Sequence, residues 1–287
     1  MKNAFYIPGD VFDGFLTGGA MNAQDGACVF AVADPSIAEL IPPPLKLTDP
    51  DHPLLYIYLV NIREPNFAPW YIEGGIAVMV RYGDLEGSYF FNLQLSGPGA
   101  LMGALSGRDS VGLPKKLSEE MVVWREGNLG HCYIQRKGVR LLDIKLEIGS
   151  YNDPNFSLSI ENCQDVAGGV EDPGRCFLHR YRLDCAAGLP EVELITYECP
   201  TRYYSWEPAS AKLELTSSID DPYGDIKIAS VLGAGWMKSD STMINLETLY
   251  TYPLEQGTDI MRYLFAGRYD ASLLSDVSQY YTSALAK

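Results

Sequence analysis

Residues 107–120 read GRDSVGLPKKLSEE, with two adjacent lysines, Lys115 and Lys116, directly after a proline. Leu113 and Leu117 stand on either side of the pair. Neighbouring side chains of an extended segment point to opposite faces, so at least one of the two amines is directed towards the protein interior if the segment is packed. A buried amine costs free energy, and groups that are costly to bury are concentrated at functional sites. This stretch is therefore the candidate site of the chain.

The composition is that of a globular protein with an acidic surface. The chain has 287 residues, of which 47% are hydrophobic, and we predict a single domain over residues 1–287. It carries 22 Lys and Arg against 37 Asp and Glu, a net charge of -15. Such a charge repels phosphate backbones and anionic lipid surfaces, so we expect neither a nucleic-acid partner nor a membrane partner.

Targeting signals and metal motifs are not apparent in the sequence. No apolar run approaches the roughly 20 residues of a spanning helix. The N-terminal MKNAFYIPGDVFDGF has aspartates and a proline where a signal peptide has an apolar core, so we expect a cytoplasmic protein. Without CxxC spacing the six cysteines are expected to be free thiols: Cys28, Cys132, Cys163, Cys176, Cys185 and Cys199. Scattered histidines predict no metal site: His52, His131 and His179.

Short strand-like runs dominate the chain. The 27 glycines and 18 prolines divide it into segments too short for long helices. The strand-like runs are 54–62, 76–82, 88–95, 121–124, 132–135, 139–147, 156–160, 176–183, 192–197, 212–216 and 226–232. We predict an α+β, mainly β fold of antiparallel sheets, with a closed or nearly closed β-barrel core and peripheral helices, because closure removes exposed strand edges.

A few segments are predicted to be helical. Asp34 is suited to cap a helix that begins at Pro35 and ends at the three prolines of 42–44. Two later helices are predicted, weakly at 242–249 and more clearly at 271–285, where apolar residues recur at helical spacing. A long loop is expected in the middle of the chain, at 162–175, between the strand-like runs 156–160 and 176–183.

The opening stretch resembles the signature of the acetoacetate decarboxylase family, in which Gly-Arg-Glu is followed a few residues later by Pro-Lys-Lys. In this chain the two parts are Gly-Arg-Asp at 107–109 and Pro-Lys-Lys at 114–116. The proline-rich step LIPPPL at 40–45 and the aromatic-x-Glu segment WYIEG at 70–74 also resemble the family pattern. Their order and approximate spacing agree with the family from about residue 29 to 120.

The resemblance implies a Schiff-base site with no metal and no cofactor, in a symmetric homo-oligomer. In the family the first lysine of the pair forms an imine with a ketone, which here is Lys115 with Lys116 as its neighbour. Glu73 matches the family's active-site glutamate. Four further residues are implied to contact substrate: Arg108 and Asp109 of the signature, where Asp replaces Glu, Tyr58, where plain decarboxylases carry a glutamate, and Trp70.

An imine-forming lysine must lose its proton first. At the reference pKa of about 10.4 only ~0.04% of a lysine is free amine at pH 7. A second ammonium or desolvation can raise that fraction, and we expect burial to contribute more, because adjacent side chains of a strand diverge.

We predict a carbon–carbon lyase that decarboxylates a β-keto (3-oxo) acid through the imine. The alternatives are aldol condensation, dehydration or cyclisation through the same imine, or, in another class, a non-catalytic barrel that binds an apolar ligand.

The substrate is expected to be bulkier than acetoacetate. Plain decarboxylases carry an early arginine, and near-gapless extension places that position around Ala23. No Arg or Lys occurs between Lys2 and Lys46, whereas aromatic residues surround the approach to Glu73. Because burying apolar area contributes roughly 25 cal/mol per Å², an oxo acid with a larger apolar part is predicted to bind best.

Overall fold

The computed structural model describes residues 19–183 and 190–274, and within these ranges strands far outnumber helices. The strands are β1 (Ala20–Ala33), β2 (Lys46–Leu47), β3 (Leu54–Pro65), β4 (Tyr71–Tyr82), β5 (Leu85–Ser96), β6 (Lys115–Leu117), β7 (Glu120–Glu126), β8 (Leu129–Arg136), β9 (Val139–Ile148), β10 (Val170–Asp172), β11 (Arg175–Leu183), β12 (Pro190–Glu198), β13 (Thr201–Leu215), β14 (Ile228–Thr242) and β15 (Ile244–Thr251). The α-helices are α1 (Ala100–Val111) and α2 (Gly257–Arg268). Short 3₁₀ helices occupy Pro35–Leu40, Cys163–Asp165, Tyr223–Asp225, Leu254–Gln256 and Ala271–Leu273.

All these strands belong to one sheet, which is antiparallel except where β5 runs parallel to β6 and to β11. The main path is β15-β12-β11-β5-β4-β3-β1-β14-β13-β9-β8-β7, and β2, β6 and β10 pair at its sides. The mainly β prediction is confirmed.

A closed barrel is not confirmed, because β15 and β7 end the described path without pairing to each other. Instead the sheet folds over, and β7 packs across β1, β3, β4 and β5. A face that packs on another face encloses a core without the hydrogen bonds of closure.

Successive side chains of a strand point to opposite faces of the sheet, and each face packs into its own apolar core. Along β3, Leu55, Ile57 and Leu59 point into a large apolar core shared with the far half of the folded sheet. Tyr56 and Tyr58 alternate with them and point to the other face, where a second core lies between the sheet and α1. The second face carries the candidate site, because Tyr58 belongs to it and donates to Glu73.

Helix α1 lies close to the sheet because its buried face is made of small residues. This face consists of Ala100, Gly103, Ala104, Gly107 and Val111. The helix ends in the left-handed residue Gly112, with φ of 73°, whose N–H donates to the carbonyl of Arg108. Glycine adopts this conformation without the Cβ penalty, and the chain turns directly into β6.

Several local predictions are corrected by the structure. The segment after Asp34 is a 3₁₀ helix, although Asp34 does accept the capping hydrogen bond from Ser36 N at 2.9 Å. Residues 242–249, predicted as a helix, lie mainly in β15, and 156–160 form no strand. The loop 162–175 contains a 3₁₀ turn and β10, and both α-helices were unpredicted. The predicted helix 271–285 lies outside the described residues beyond 274.

The cysteine prediction is confirmed where the structure describes these residues, and Cys185 lies outside the described ranges. The free thiols are Cys28, Cys132, Cys163, Cys176 and Cys199. Among the described helices, none has the length and apolar character to span a membrane.

Candidate active site

Strand β6 holds the lysine pair at the edge of α1. Lys115 pairs with Leu93 of β5 in parallel register, and Leu93 N donates to the carbonyl of Pro114 at 2.8 Å. Leu113 N in turn donates to the carbonyl of Gly107 at 3.1 Å. Backbone hydrogen bonds to both the helix and the sheet therefore fix the position from which the Lys115 side chain leaves the strand.

The side chain of Lys115 is enclosed and its amine faces a carboxylate. The residue is 4% exposed, and its Nζ lies 2.7 Å from Oε2 of Glu73. Nζ also donates to the carbonyl of Gly103 at 3.3 Å. A Cβ at Gly107 would lie 3.1 Å from both Cδ and Cε of Lys115, closer than most real Cβ contacts. The glycines of α1 thus leave room for the lysine stem.

Glu73 joins Lys115 to Tyr58. The hydroxyl of Tyr58 donates to Oε1 of Glu73 at 2.7 Å, and Glu73 is itself 4% exposed. Oε2 has no hydrogen-bond partner, so its close approach to Nζ is an ion-pair contact without hydrogen-bond geometry. Burial, with the charge of Glu73, raises the pKa of Tyr58 well above its ordinary value, so that Tyr58 is a proton donor at neutral pH.

Lys116 points to the opposite face, away from Lys115. Its Nζ donates to the carbonyl of Asp220 at 2.7 Å and to Oδ1 of Asp221 at 3.0 Å. It also lies 3.3 Å from Oδ1 of Asp270. The divergence expected of adjacent strand residues is therefore observed, and the ammonium of Lys116 is neutralised by its own carboxylates.

These carboxylates are shared with two further cations. Arg136 Nη1 lies 2.7 Å from Asp221, and Lys137 Nζ lies 2.6 Å from Asp220 and 2.7 Å from Asp270. Burial pushes the pKa of Asp270 upward, but hydrogen bonds from Arg136 and Lys137 outweigh it and hold that pKa below its usual range. This group is called the ionic cluster below and consists of Lys116, Arg136, Lys137, Asp220, Asp221 and Asp270.

Two apolar cavities meet at Lys115. The inner cavity, of about 580 Å³, runs along β3 past Tyr58, Tyr56 and Phe30. The outer cavity, of about 420 Å³, lies beside α1 and is lined by residues such as Ser106. Five residues line both cavities: Met21, Leu113, Lys115, Tyr197 and Met243. The amine therefore lies at a junction and not at the end of a pocket.

In the inner cavity, the wall near residue 23, where plain decarboxylases carry an arginine, is polar but has no cation. Gln24 lines the inner cavity, and its amide donates to the carbonyl of Met21 at 2.9 Å and to Ser241 Oγ at 2.7 Å. Among the described residues that line this cavity, only Lys115 and Arg175 are cationic, and Arg175 pairs with a glutamate at 3.2 Å.

Of the residues predicted from sequence, the structure brings Lys115, Glu73 and Tyr58 into contact, while Lys116 lies behind the strand. Arg108 and Asp109 line another cavity that shares no described lining residue with those at Lys115. Gly107 faces Lys115, and each residue of an α-helix turns by about 100°, so the two following positions point elsewhere.

Trp70 does not reach the amine either. It is 50% exposed, packs near Gly97 and lines neither cavity at Lys115. The shared wall residues Tyr197 and Met243 were not predicted: Tyr197 lies in β12, and Met243 lies between β14 and β15. No local pattern relates them to the lysine pair, so only the fold brings them there.

The thiols on the inner-cavity wall are poorly suited to nucleophilic attack. Cys176 and Cys199 both line the cavity. Burial raises the pKa of Cys199 to about 11, and burial also raises that of Cys176. Since the thiolate is the nucleophile, these groups are inert walls at neutral pH. In the described part of the chain, no group of three or more His, Cys, Asp or Glu side chains is arranged to hold a metal ion.

Comparisons with known proteins agree on one family. The family model described as Acetoacetate decarboxylase (ADC) matches residues 15–254. The chain is 32% identical to the CLA biosynthesis isomerase of Lactiplantibacillus plantarum over 267 residues, which are 91% of this chain and 92% of the relative.

Solved structures share the fold at low identity. An acetoacetate decarboxylase from Legionella pneumophila superposes with a TM-score of 0.68 at 15% identity, covering 88% of this chain and 99% of that one. The enduracididine biosynthesis enzyme MppR, complexed with the condensation product of pyruvate and imidazole 4-carboxaldehyde, gives 0.59 at 13% identity, covering 82% and 91%.

Proposed function

The chain belongs to the acetoacetate decarboxylase family, and we propose that it is an enzyme that binds a ketone as an imine on Lys115. The observation that carries this proposal is the position of Nζ: it is buried at the junction of two apolar cavities, 2.7 Å from the carboxylate of Glu73. The neutral amine is the nucleophile, and Oε2 of Glu73 is placed to accept the proton that the amine must lose.

The imine forms in steps that the surrounding groups can assist. Nζ gives up a proton to Oε2 of Glu73 and attacks the carbonyl carbon. The carbinolamine then takes up a proton on its oxygen and loses water, which leaves a C=N bond in place of C=O. Tyr58 supports the proton transfers, because its hydroxyl can donate to Oε1 both when Glu73 is a carboxylate and when Oε2 carries a proton.

We propose proton transfer at carbon as the reaction, namely migration of a double bond in an unsaturated ketone. Glu73 removes the proton from the carbon next to the iminium, which gives a dienamine. The proton returns at the far end of the conjugated system, and water then cleaves the imine to release the isomerised ketone and the amine. Each proton taken up by Glu73 is given back, so the cycle consumes only the water that imine formation released.

Two observations favour this reaction over the decarboxylation expected from the sequence. A β-keto carboxylate would lie beside the amine, next to the like charge of Glu73, and the inner-cavity wall at Gln24 offers it a neutral amide in place of a cation. In addition, a relative of 32% identity is an isomerase. Decarboxylation of a β-keto acid is the second candidate, supported by the family's description.

The junction also favours a particular substrate shape. An amine at a dead end suits a methyl ketone, whereas an amine between two apolar cavities suits a ketone with apolar groups on both sides of the carbonyl. The inner cavity follows β3 from Tyr58 to Leu54, about 13 Å at roughly 3.3 Å per residue. The substrate proposed is therefore an internal ketone of chain-like form, larger than acetoacetate.

The experiment separates imine chemistry from simple binding. The protein is incubated with an internal β,γ-unsaturated ketone and sodium borohydride, and the peptide that contains Lys115 is analysed by mass spectrometry. A reduced adduct on Lys115 supports imine formation, and an unmodified lysine in folded protein that still binds the ketone identifies an apolar carrier.

A second measurement then distinguishes the two reactions. The appearance of conjugated-enone absorbance from the unsaturated ketone supports isomerisation. Release of CO2 from long-chain β-keto acids, without any change in the unsaturated ketone, assigns decarboxylation instead.

A further inference from the structure

A third cavity lies at the C-terminal end of α1, and several of its lining residues are arginines. It has a volume of about 740 Å³ and is called the arginine cavity here. It is lined by four arginines (Arg108, Arg180, Arg182 and Arg268), three acidic residues (Asp109, Glu191 and Glu193) and the tyrosines Tyr181, Tyr252 and Tyr269. In a chain with a net charge of -15, a cavity wall with more guanidinium than carboxylate groups is a local excess of positive charge.

Two of the four arginines are neutralised by carboxylates on the neighbouring strand. Arg180 donates to Glu193 at 2.9 and 2.7 Å, and Arg182 donates to Glu191 at 3.1 and 2.7 Å. These are cross-strand pairs of β11 and β12, and they leave little positive charge for a ligand.

The other two arginines form no ion pair with any carboxylate of residues 19–183 and 190–274. Arg268 is 5% exposed, and its guanidinium donates only to neutral carbonyl groups, those of Leu264, Gly112 and His179. Burial lowers the pKa of Arg268, and the charge of Arg108 lowers it further. A buried cation that forms no ion pair is costly to the folded protein.

The tyrosine rings orient both guanidinium groups. Arg108 lies over the ring of Tyr269 at 5.2 Å, and Arg268 lies over the ring of Tyr181 at 5.5 Å. The two tyrosine hydroxyls are hydrogen-bonded to each other. A guanidinium stacked on a ring keeps the N–H groups at its edge for an acceptor. Those of Arg108 form no hydrogen bond among the described residues, whereas Arg268 uses three of its five for backbone carbonyls and has two left.

We propose that the arginine cavity binds a phosphate group between Arg108 and Arg268, as part of a small phosphomonoester. Neither guanidinium group is ion-paired within the described residues, so both can pair with an added oxyanion on a wall whose one other unpaired charge is Asp109, and the cavity is far larger than one phosphate ion. The proposal is independent of the chemistry at Lys115, because the arginine cavity shares no described lining residue with the cavities there.

The bound group would contact the segment that leads to Lys115. Arg268 donates to the carbonyl of Gly112, the residue that caps the C-terminal end of α1, and a Cβ at Gly112 would lie 2.5 Å from the carbonyl oxygen of His179. Little free space therefore separates the arginine cavity from the turn between α1 and β6.

The test measures binding by calorimetry and thermal unfolding of the full chain at constant ionic strength. The probes are inorganic phosphate, glycerol 3-phosphate and, as the salt control, sodium chloride. We expect a millimolar or tighter dissociation constant and a higher Tm with phosphate than with chloride. Tighter binding of glycerol 3-phosphate assigns the site to phosphomonoesters, and binding of inorganic phosphate alone overturns that part of the proposal.

Variants locate the site. Arg108→Gln is expected to weaken phosphate binding at least tenfold. Arg182→Gln is the matched control, because this side chain is 74% exposed and already paired with Glu191, and its affinity should stay within about twofold of wild type. Arg268→Lys keeps a buried cation without the fork and should also weaken binding. Equal affinities of wild type and Arg108→Gln, or no binding of either phosphate below 10 mM, overturn the proposal.

Discussion

The hydroxyl of Tyr58 donates to one oxygen of Glu73 at 2.7 Å, while the other oxygen of the same carboxylate lies 2.7 Å from the amine of Lys115. Glu73 is therefore held from one side and left available on the other. Oε2, the available oxygen, has no hydrogen-bond partner, so it can accept a proton without first breaking a hydrogen bond.

Tyr58→Phe is predicted to slow proton transfer while imine formation persists. A hydrogen bond to a charged group contributes about 1.5–3 kcal/mol, so the rate of α-proton exchange in D2O should fall roughly 10- to 100-fold. Tyr56→Phe is the control, because that hydroxyl contacts Cys28 and not Glu73. Exchange is followed by NMR and the imine by borohydride trapping. Equal exchange rates in the two variants would contradict a role for Tyr58.

Glu73→Gln is predicted to lose proton transfer at carbon and to retain trapping on Lys115. The amide keeps the shape of the carboxylate and still accepts from Tyr58, but it cannot carry a proton. We expect α-proton exchange to fall by at least 100-fold, within the range that general acid–base catalysis contributes. Water can take the proton from Nζ in place of Oε2, so trapping should be slower but should persist. Its loss in a folded variant would show that imine formation depends on Glu73 alone.

The two lysines are predicted to differ in kind. Lys115→Met should abolish trapping. Glu73 loses its cation, but it keeps the hydrogen bond from Tyr58, so the protein should stay folded. Lys116→Met should retain trapping but reduce the free energy of unfolding by about 3–5 kcal/mol, because the buried carboxylates of Asp221 and Asp270 lose a cation. Mass spectrometry and urea unfolding measure the two effects, and the reverse pattern would exchange the assigned roles.

For substrates of equal size, the position of the carbonyl group along the chain is predicted to determine kcat/KM. Undecan-6-one and undecan-2-one have the same composition, but only the first has long apolar groups on both sides. Each additional ~40 Å² of buried apolar area is worth about 1 kcal/mol, or roughly fivefold in affinity. The internal ketone should therefore show the higher kcat/KM for α-proton exchange. Ser106→Leu, which narrows the outer cavity, should reduce that preference, and a preference for the methyl ketone would contradict the junction.

Acidification is predicted to destabilise the protein through His179. This residue is completely buried, its Nε2 bonds to the hydroxyl of Tyr252, and its Nδ1 has no partner. Burial, with the charge of Arg268, lowers the pKa of His179 from 6.5 to about 3. The unfolded chain thus takes up this proton first as the pH falls, so stability present above pH 6.5 is lost on the way to pH 3.

The expected loss between pH 7 and pH 5 is about 2 kcal/mol, measured by urea unfolding. Asp220 and Asp270 have pKa values below their ordinary 3.8, so neither takes up a proton between pH 7 and pH 5. In His179→Gln the amide N–H can still reach Tyr252, but the titrating group is gone, so this part of the pH dependence should vanish. A variant with the same slope as wild type would assign the loss to other groups.

Much of the site was accessible from the sequence, because its central residues lie in short motifs. The Pro-Lys-Lys unit located Lys115, and spacing located Glu73 and Tyr58 on adjacent strands. Arg108 and Asp109 show the limit of this approach: a motif gives order along the chain but not the rotation of a helix. The ionic cluster was also beyond reach, since Asp221 and Asp270 lie more than a hundred residues after Lys116.

The fold shows a similar division. Strand runs were predicted well where β-branched and aromatic residues alternate, as in β3. Helix α1 was missed because Gly103 and Gly107 have poor helix propensity, and only packing against the sheet stabilises it. Helix α2 did carry a signal, with Ile260 and Leu264 four residues apart on its buried side. Closure of the sheet depends on how its two ends meet, for which the sequence has no local pattern.

The alternation of Lys115 and Lys116 across β6 has a consequence for redesign. Successive positions of one short strand serve different purposes: one side faces the substrate, and the other side joins distant parts of the chain through the ionic cluster. A mutant library confined to the cavity-facing positions of β3 and β4 would change which carbonyl compounds reach the amine and leave those joining contacts untouched. The scaffold is therefore a suitable starting point for artificial amine catalysts, because substrate selectivity can be altered without removing the ion pairs of the ionic cluster.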